Sequence, residues 1–303
     1  MKGFNPRKSL SELCGLFGKT RSAYYQWFQR EETESVRRSI ILKEVRIIRE
    51  ELPRIGVRKL QKILQENLEP HQIDIGRDYL FELLSNYGML IRCRKRKMIT
   101  TNSRHWMRKY KNQIKDLAID RPNQVWVSDI TYLKTSGGWS YLSLITDAYS
   151  HKIVGHSLRQ DMSAEGCLEA LNMAIAQRSG KESLIHHSDR GSQYCSQNYV
   201  KVLNKNDIVI SMTENSDPYE NAVAERVNGI IKNEFNLAYG NLRFDQLKVR
   251  VSQCIEAYNQ QRPHLSCDYL TPNKAHSQKG MLHKRWKNYY QSKNVNQKNV
   301  QSF

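Results

Sequence analysis

The sequence predicts an α/β core of three layers, preceded by all-helical segments and followed by a basic tail. Three observations carry that expectation. From Arg121 onward, strand-like and helix-like runs follow in the order βββαβαβαα, which joins an antiparallel meander to parallel crossovers and needs helices packed on the sheet. Before that point the chain reads as helices. The formal charge divides at the same place: residues 1–120 carry a net +12, residues 121–270 a net −1 and residues 271–303 a net +7, of a total of +18. A near-neutral block between basic arms suggests a working core flanked by pieces that grip a polyanion, of which nucleic acid is the commonest. The 303 residues suffice for two or three modest domains.

Leu10, Leu13, Phe17 and Tyr24 recur at helical spacing, and Gly18 interrupts them. A short helix, a turn and a second helix opening near Thr20 make a helix-turn-helix outline. Further helices are expected over Ser35–Glu51, Gly56–Glu66 and Asp78–Tyr87, the last stopped by Gly88. Residues 91–97 then read IRCRKRK, and Arg92, Arg94, Lys95, Arg96 and Lys97, placed behind a second three-helix pattern, point to phosphate contacts.

In the core, Val125–Leu133, Tyr141–Thr146 and Lys152–Leu158 are strand-like. A helix over Ala164–Arg178, a strand over Leu184–His187, a helix over Ser196–Asn204 and a strand over Ile208–Ser211 follow. Helices near Tyr219–Tyr239 and Phe244–Gln260 complete it, and Pro263 stops the last. No run reaches 18 apolar residues, so no transmembrane helix is expected, and basic, polar Met1–Leu10 has no secretory h-region. The six cysteines form no C-x-x-C pair, which fits reduced thiols in a cytosol and argues against a zinc ribbon.

Three acids stand out by context. Asp129 lies inside the first strand, in VWVSDITYL, where an Asp is depleted and costly to bury without a partner such as a metal. Asp189 ends the fourth strand, in LIHHSDRGSQY, where ligands bind in α/β sheets. Glu225 lies on the following helix, in YENAVAERVNGIIKNE. Three carboxylates converging there would hold two divalent cations for in-line displacement at phosphorus.

Between Asp189 and Glu225 stand 35 residues, a spacing that resembles the DD(35)E pattern of retroviral integrases and insertion-sequence transposases. More narrowly, WVSDITYL, ITDAYSHKIVGHSL, HHSDRGSQY, ENAVAERVNGIIKNE and YNQQRPHLSCDYLTP resemble, in order, the blocks of the second-reading-frame transposases of the IS-three family. LPRIGVRKLQKIL and IGRDYLFELLSNYGML resemble that family's accessory helix-turn-helix segment. The likeness spans about residues 5–275. It implies an accessory DNA-binding segment with its basic linker over 51–110 and a ribonuclease-H-like integrase core over 121–276, while residue pattern and charge suggest a helix-turn-helix-like segment over 1–50 and a basic, flexible tail over 277–303. It further implies magnesium as cofactor, two ions with manganese able to substitute. The implied partners are the element's terminal inverted repeats and target DNA, further copies of the chain and an upstream-frame protein. The implied location is the bacterial cytosol at the nucleoid. The alternatives are a DNA-binding regulator that no longer catalyses and a plain ribonuclease-H-type nuclease.

Neighbours of the triad complete the expected site. Lys232 lies two turns beyond Glu225 on one helix face, and the family keeps a cation there, implying a solvated lysine that reaches a DNA phosphate. Asn221, one turn before Glu225, is expected to support the metal site, and Gln193 to line the active-site loop. Asp217, Pro218 and Glu220 read as N-cap, N1 and N3 of that helix. Asp147 reads as a turn residue, His186 and His187 as strand residues, and Trp126 as core. Arg262-Pro263-His264 reads only as a helix stop.

Overall fold

The computed structural model describes residues 8–91, 107–115, 117–180, 182–214 and 220–283. Ser9 opens α1 (Leu10–Leu16) with a reciprocal cap: its Oγ accepts from the Glu12 amide at 3.2 Å, and the Glu12 carboxylate accepts from the Ser9 amide at 2.8 Å. Gly18, at φ +63°, turns the chain, and Thr20 caps the next helix by accepting from the Ala23 amide. That helix, α2 (Arg21–Glu51), runs unbroken for 31 residues where the sequence suggested two helices. No Gly or Pro stands between Arg21 and Glu51, so the polar stretch around Glu31 has nothing to break it.

α3 (Val57–Leu68) and α4 (Arg77–Asn86) follow. The described residues divide into two compact units: one takes in the residues up to Glu50 together with Leu60–Leu90, the other Glu51–Lys59 and the residues from Ile91 on. In the first unit Ile41, Leu42, Val45 and Ile48 of α2 are buried, as are Leu64 and Leu68 of α3 and Leu80 and Leu84 of α4. Arg49 donates to the Met89 carbonyl at 2.8 Å, and Asn67 to the Glu44 carboxylate at 3.3 Å. The end of α2, most of α3 and α4 thus pack together within the first unit. Only the second half of α2 carries its buried apolar residues, so it needs the later helices as partners.

The second unit is built on a five-stranded sheet: β1 (Val125–Thr135), β2 (Gly138–Asp147), β3 (Ile153–Arg159), β4 (Leu184–Ser188) and β5 (Ile208–Met212), in the order β3-β2-β1-β4-β5. β1, β2 and β3 pair antiparallel, while β4 runs parallel to β1 and to β5. α5 (Ala164–Gln177) and α7 (Gln197–Lys205), joined by the one-turn α6 (Ser192–Cys195), cover one face. Trp126, Ile145, Val154, Ala170, Leu171, Tyr199 and Ile210 form the core between them. α8 (Ala222–Glu234) packs on β1 and β2 from the other face, where Val125, Val127 and Ala224 meet. α9 (Phe244–Gln261) and the short α10 (Pro272–His276) close the unit. The result is the three-layer, ribonuclease-H-like arrangement. α5 lies so close on β3 that a Cβ at Gly155 would stand 2.1 Å from the Ala170 carbonyl oxygen, so only glycine fits there. Among the described residues no helix is long and apolar enough to cross a membrane.

Candidate active site

Strand alternation puts Trp126 into the α5–α7 core and turns Val127, and hence Asp129, toward the α8 face. Ser128 of β1 pairs with Ser188 of β4 in parallel register, so Asp129 and Asp189 are the next residues along two adjacent strands. Neighbouring strands lie about 4.8 Å apart, and Asp189 acts on Asp129 as a nearby like charge. Glu225 comes from the first turn of α8, on the same side.

Asp129 and Asp189 are held by local hydrogen bonds. Asp129 accepts from its neighbour's amide, Ile130 N to Oδ1 at 2.9 Å, and from Asn228 Nδ2 to Oδ2 at 2.8 Å. Asp189 Oδ1 accepts from the Gly191 amide at 3.0 Å, and a Cβ at Gly191 would press on that oxygen and on Gln193 Oε1. Burial, then repulsion from Asp189 and more weakly from Glu225, lifts the Asp129 carboxyl to about 7, with Asn228 and the Ile130 amide opposing. No three Asp, Glu, His or Cys side chains among the described residues yet stand close enough to enclose one ion, and Glu225 is exposed.

The supporting residues fall into place unevenly. Asn221 is buried and donates Nδ2 to the Ser128 carbonyl at 3.0 Å. Asn228, two turns on and equally buried, does the same to the Asp129 side chain. The two amides staple α8 to consecutive residues of β1, and the Oδ1 atoms of both are buried without a partner. Asn228 was missed from sequence. Its signal was its position between Glu225 and Lys232 on one helix face. Gln193 anchors α6 by donating to the Met162 carbonyl at 3.1 Å.

Lys232 is a correction: it is half-buried, not solvated, and burial lowers its ammonium pKa. The helix start is another, since α8 begins at Ala222 with Asn221 as N-cap. Asp217 and Pro218 lie outside the described residues, as do Arg92, Arg94, Lys95, Arg96 and Lys97.

Other polar groups are built into the fold. Fully buried Asp147 accepts from the Asn123 amide at 2.7 Å, the Ser150 amide at 2.8 Å and the Ser150 hydroxyl at 2.6 Å, fixing the turn after β2. His186 shares hydrogen bonds with Ser128 and Tyr199, His187 with Ser211, and burial pushes these imidazoles down to about 3 and about 4. Trp126 donates its indole N–H to Asn123 at 3.0 Å. Arg262, read as part of a helix stop, is 1% exposed and forms a two-point ion pair with Glu234.

Two models of the integrase core domain match this chain, over residues 119–218 and 206–272. The chain is 35% identical, over 264 residues, to the uncharacterized 31 kDa protein of insertion element IS600 from Shigella sonnei, covering 86% of this chain and 96% of that one. It is 27% identical over 266 residues to transposase InsF for insertion sequence IS3A from Escherichia coli K12, covering 87% and 92%. Among solved structures it is similar to the catalytic core domain of HTLV-2 integrase in complex with magnesium, at 23% identity and a TM-score of 0.42, covering 52% of this chain and 97% of that one. A core matched by integrase models, on a chain related along most of its length to insertion-element proteins, belongs to the IS3 family of insertion-sequence transposases.

Proposed function

We propose that the chain cuts and joins DNA at the ends of its insertion sequence, with Asp129, Asp189 and Glu225 holding two divalent cations, Mg²⁺ or Mn²⁺ in its place. The observation that carries this reading is the placement of the acids: Ser128 and Ser188 are in register on adjacent parallel strands, so Asp129 and Asp189 follow on neighbouring strands, and α8, which bears Glu225 in its first turn, packs on β1. The donor set fits such ions: carboxylate oxygens are the hard ligands they prefer, and the unpartnered amide oxygens of Asn221 and Asn228 add acceptors for bound water. When bound, the ions supply Lewis acidity and a more acidic water.

The protein's own part is placement. Asn228 and the Ile130 amide fix the plane of the Asp129 carboxylate, and the Gly191 amide fixes Asp189. α8 delivers Glu225, and Lys232 two turns on can hold the phosphate beside the scissile bond. A water opens the first phosphodiester, and the freed 3′-hydroxyl attacks a second, so no covalent protein–DNA link is needed. Joining of the two ends through a circle before integration follows from family resemblance, as do action as a homo-oligomer and an upstream-frame partner. The +12 of residues 1–120, including the 92–97 run, serves the DNA grip.

The test is incubation of the protein with Mg²⁺ and labelled element ends. Wild type should give nicked and joined products, while Asp129→Ala, Asp189→Ala and Glu225→Ala each lose about 100-fold or more of the cleavage and keep end binding. A variant that cleaves near the wild-type rate removes that acid from the site.

A further inference from the structure

Residues Glu51–Lys59 belong to the core unit, and they bring Lys59 to the end of α8 opposite Glu225. There Glu234 closes the helix. Arg262 donates Nε to Oε2 at 2.8 Å and a terminal nitrogen to Oε1 at 2.9 Å, and its other terminal nitrogen meets His264 Nε2 at 2.8 Å. This pair is complete, with both carboxylate oxygens engaged and the guanidinium neutralised.

Lys59 is then a second cation on a carboxylate already satisfied. Its Nζ lies 3.8 Å from Glu234 Oε1, beyond hydrogen-bond reach, with the side chain 14% exposed. Arg226, exposed two turns before Glu234, adds a third positive charge within electrostatic range. One carboxylate therefore faces three cations, and the Lys59 ammonium has no hydrogen-bond acceptor among the described residues. His264 adds no charge, because burial and Arg262 keep it neutral. Leaving an ammonium largely desolvated is costly unless an anion completes it. Burial, with Arg262 adding to it, pushes Lys59 down to about 8 against the pull of Glu234.

We propose that Lys59 seats a backbone phosphate of the bound DNA. The inference rests on the DNA-cleaving reading above. It puts a phosphate contact at the C-terminal end of the helix that carries Glu225, in the same last turn as Lys232. Lysine suits the role, since one phosphate oxygen needs a point charge and not a fork.

The experiment is a salt titration of element-end binding by the full-length chain. Lys59→Met should lower the slope of log affinity against log salt by about one and weaken binding several-fold, equally for unrelated sequences. Its melting temperature without DNA should not fall, because a desolvated charge is removed. Lys59→Arg should keep the slope, and Arg226→Gln, at an exposed position, should reduce it. A Lys59→Met slope equal to wild type overturns the inference while the DNA reading stands. Stabilisation of wild type but not Lys59→Met by inorganic phosphate, with equal DNA slopes, assigns the seat to a free anion and also overturns it. Wild type with no salt-dependent binding to element ends overturns the DNA reading and this inference together.

Discussion

Helix α8 carries two carboxylate environments that differ in sign. Near its start, Glu225 joins Asp129 and Asp189 where the acids repel one another, and Asp129 rises to about 7. At its end, Glu234 is half-buried too, yet Arg262 and Lys59 hold its carboxyl below the ordinary range although burial alone would raise it. The difference lies in what surrounds each acid. Asp129 is given neutral amide donors, which orient a carboxylate without cancelling its charge; Glu234 is given cations, which cancel it and lock it. One end sets carboxylates near one another, and the other pairs its carboxylate with cations and anchors the helix.

The comparison breaks first at the anchored end. Arg262→Ala should leave the Glu234 carboxylate without its two-point partner and cost about 3 kcal/mol or more, as breaking a buried pair does. For a domain of this size that is a fall in melting temperature of roughly 6–12 °C. Thermal unfolding by circular dichroism checks it, and a fall under about 2 °C would mean that Lys59 alone suffices.

A smaller effect of opposite sign is expected at the other end. Asp129 is raised in the folded state above its ordinary 3.8, so its protonated form favours folding. That contribution is present in full below pH 3.8 and is lost as pH rises through 7. Asp129→Asn removes the dependence. Without metal, the variant should therefore melt a few degrees above wild type at pH 8, with the gap closing toward pH 4, although it cannot cleave. A variant less stable than wild type at pH 8 would show that repulsion does not dominate this cluster.

The smallest effect sharpens the role of Lys232. Because this lysine is half-buried, Lys232→Ala should lower the melting temperature slightly, by about 1–2 °C. Single-turnover nicking at saturating DNA should still fall much more than that loss implies, and Lys232→Arg should recover much of it. Nicking by the Ala variant at the wild-type rate would reduce the residue to a packing role.

Much of the site was legible because it depends on local pattern. Alternation along VWVSDITYL is enough to make a strand with Asp129 in it, and the turn at Asp189-Arg190-Gly191 marks the end of another. A separate helix from Ser35 was expected, whereas the run from Arg21 to Glu51 contains no Gly or Pro to break it and continues as one helix. Lys232 was misread because helical geometry says which side chains share a face but not what lies above it.

By itself, then, the sequence determined the order of the core strands and their main helices, the charge division and the three candidate acids, all of which rest on periodicity and residue chemistry within short windows. Tertiary structure alone decided that Asn228 meets Asp129 across 99 residues, and that Lys59, Glu234 and Arg262 share one site. Those contacts arise from chain segments far apart, brought together by packing of α8 between the sheet and α9. No local pattern encodes them, since burial turns an ordinary surface Lys, Glu or Asn into a committed partner only after the neighbouring elements have excluded water.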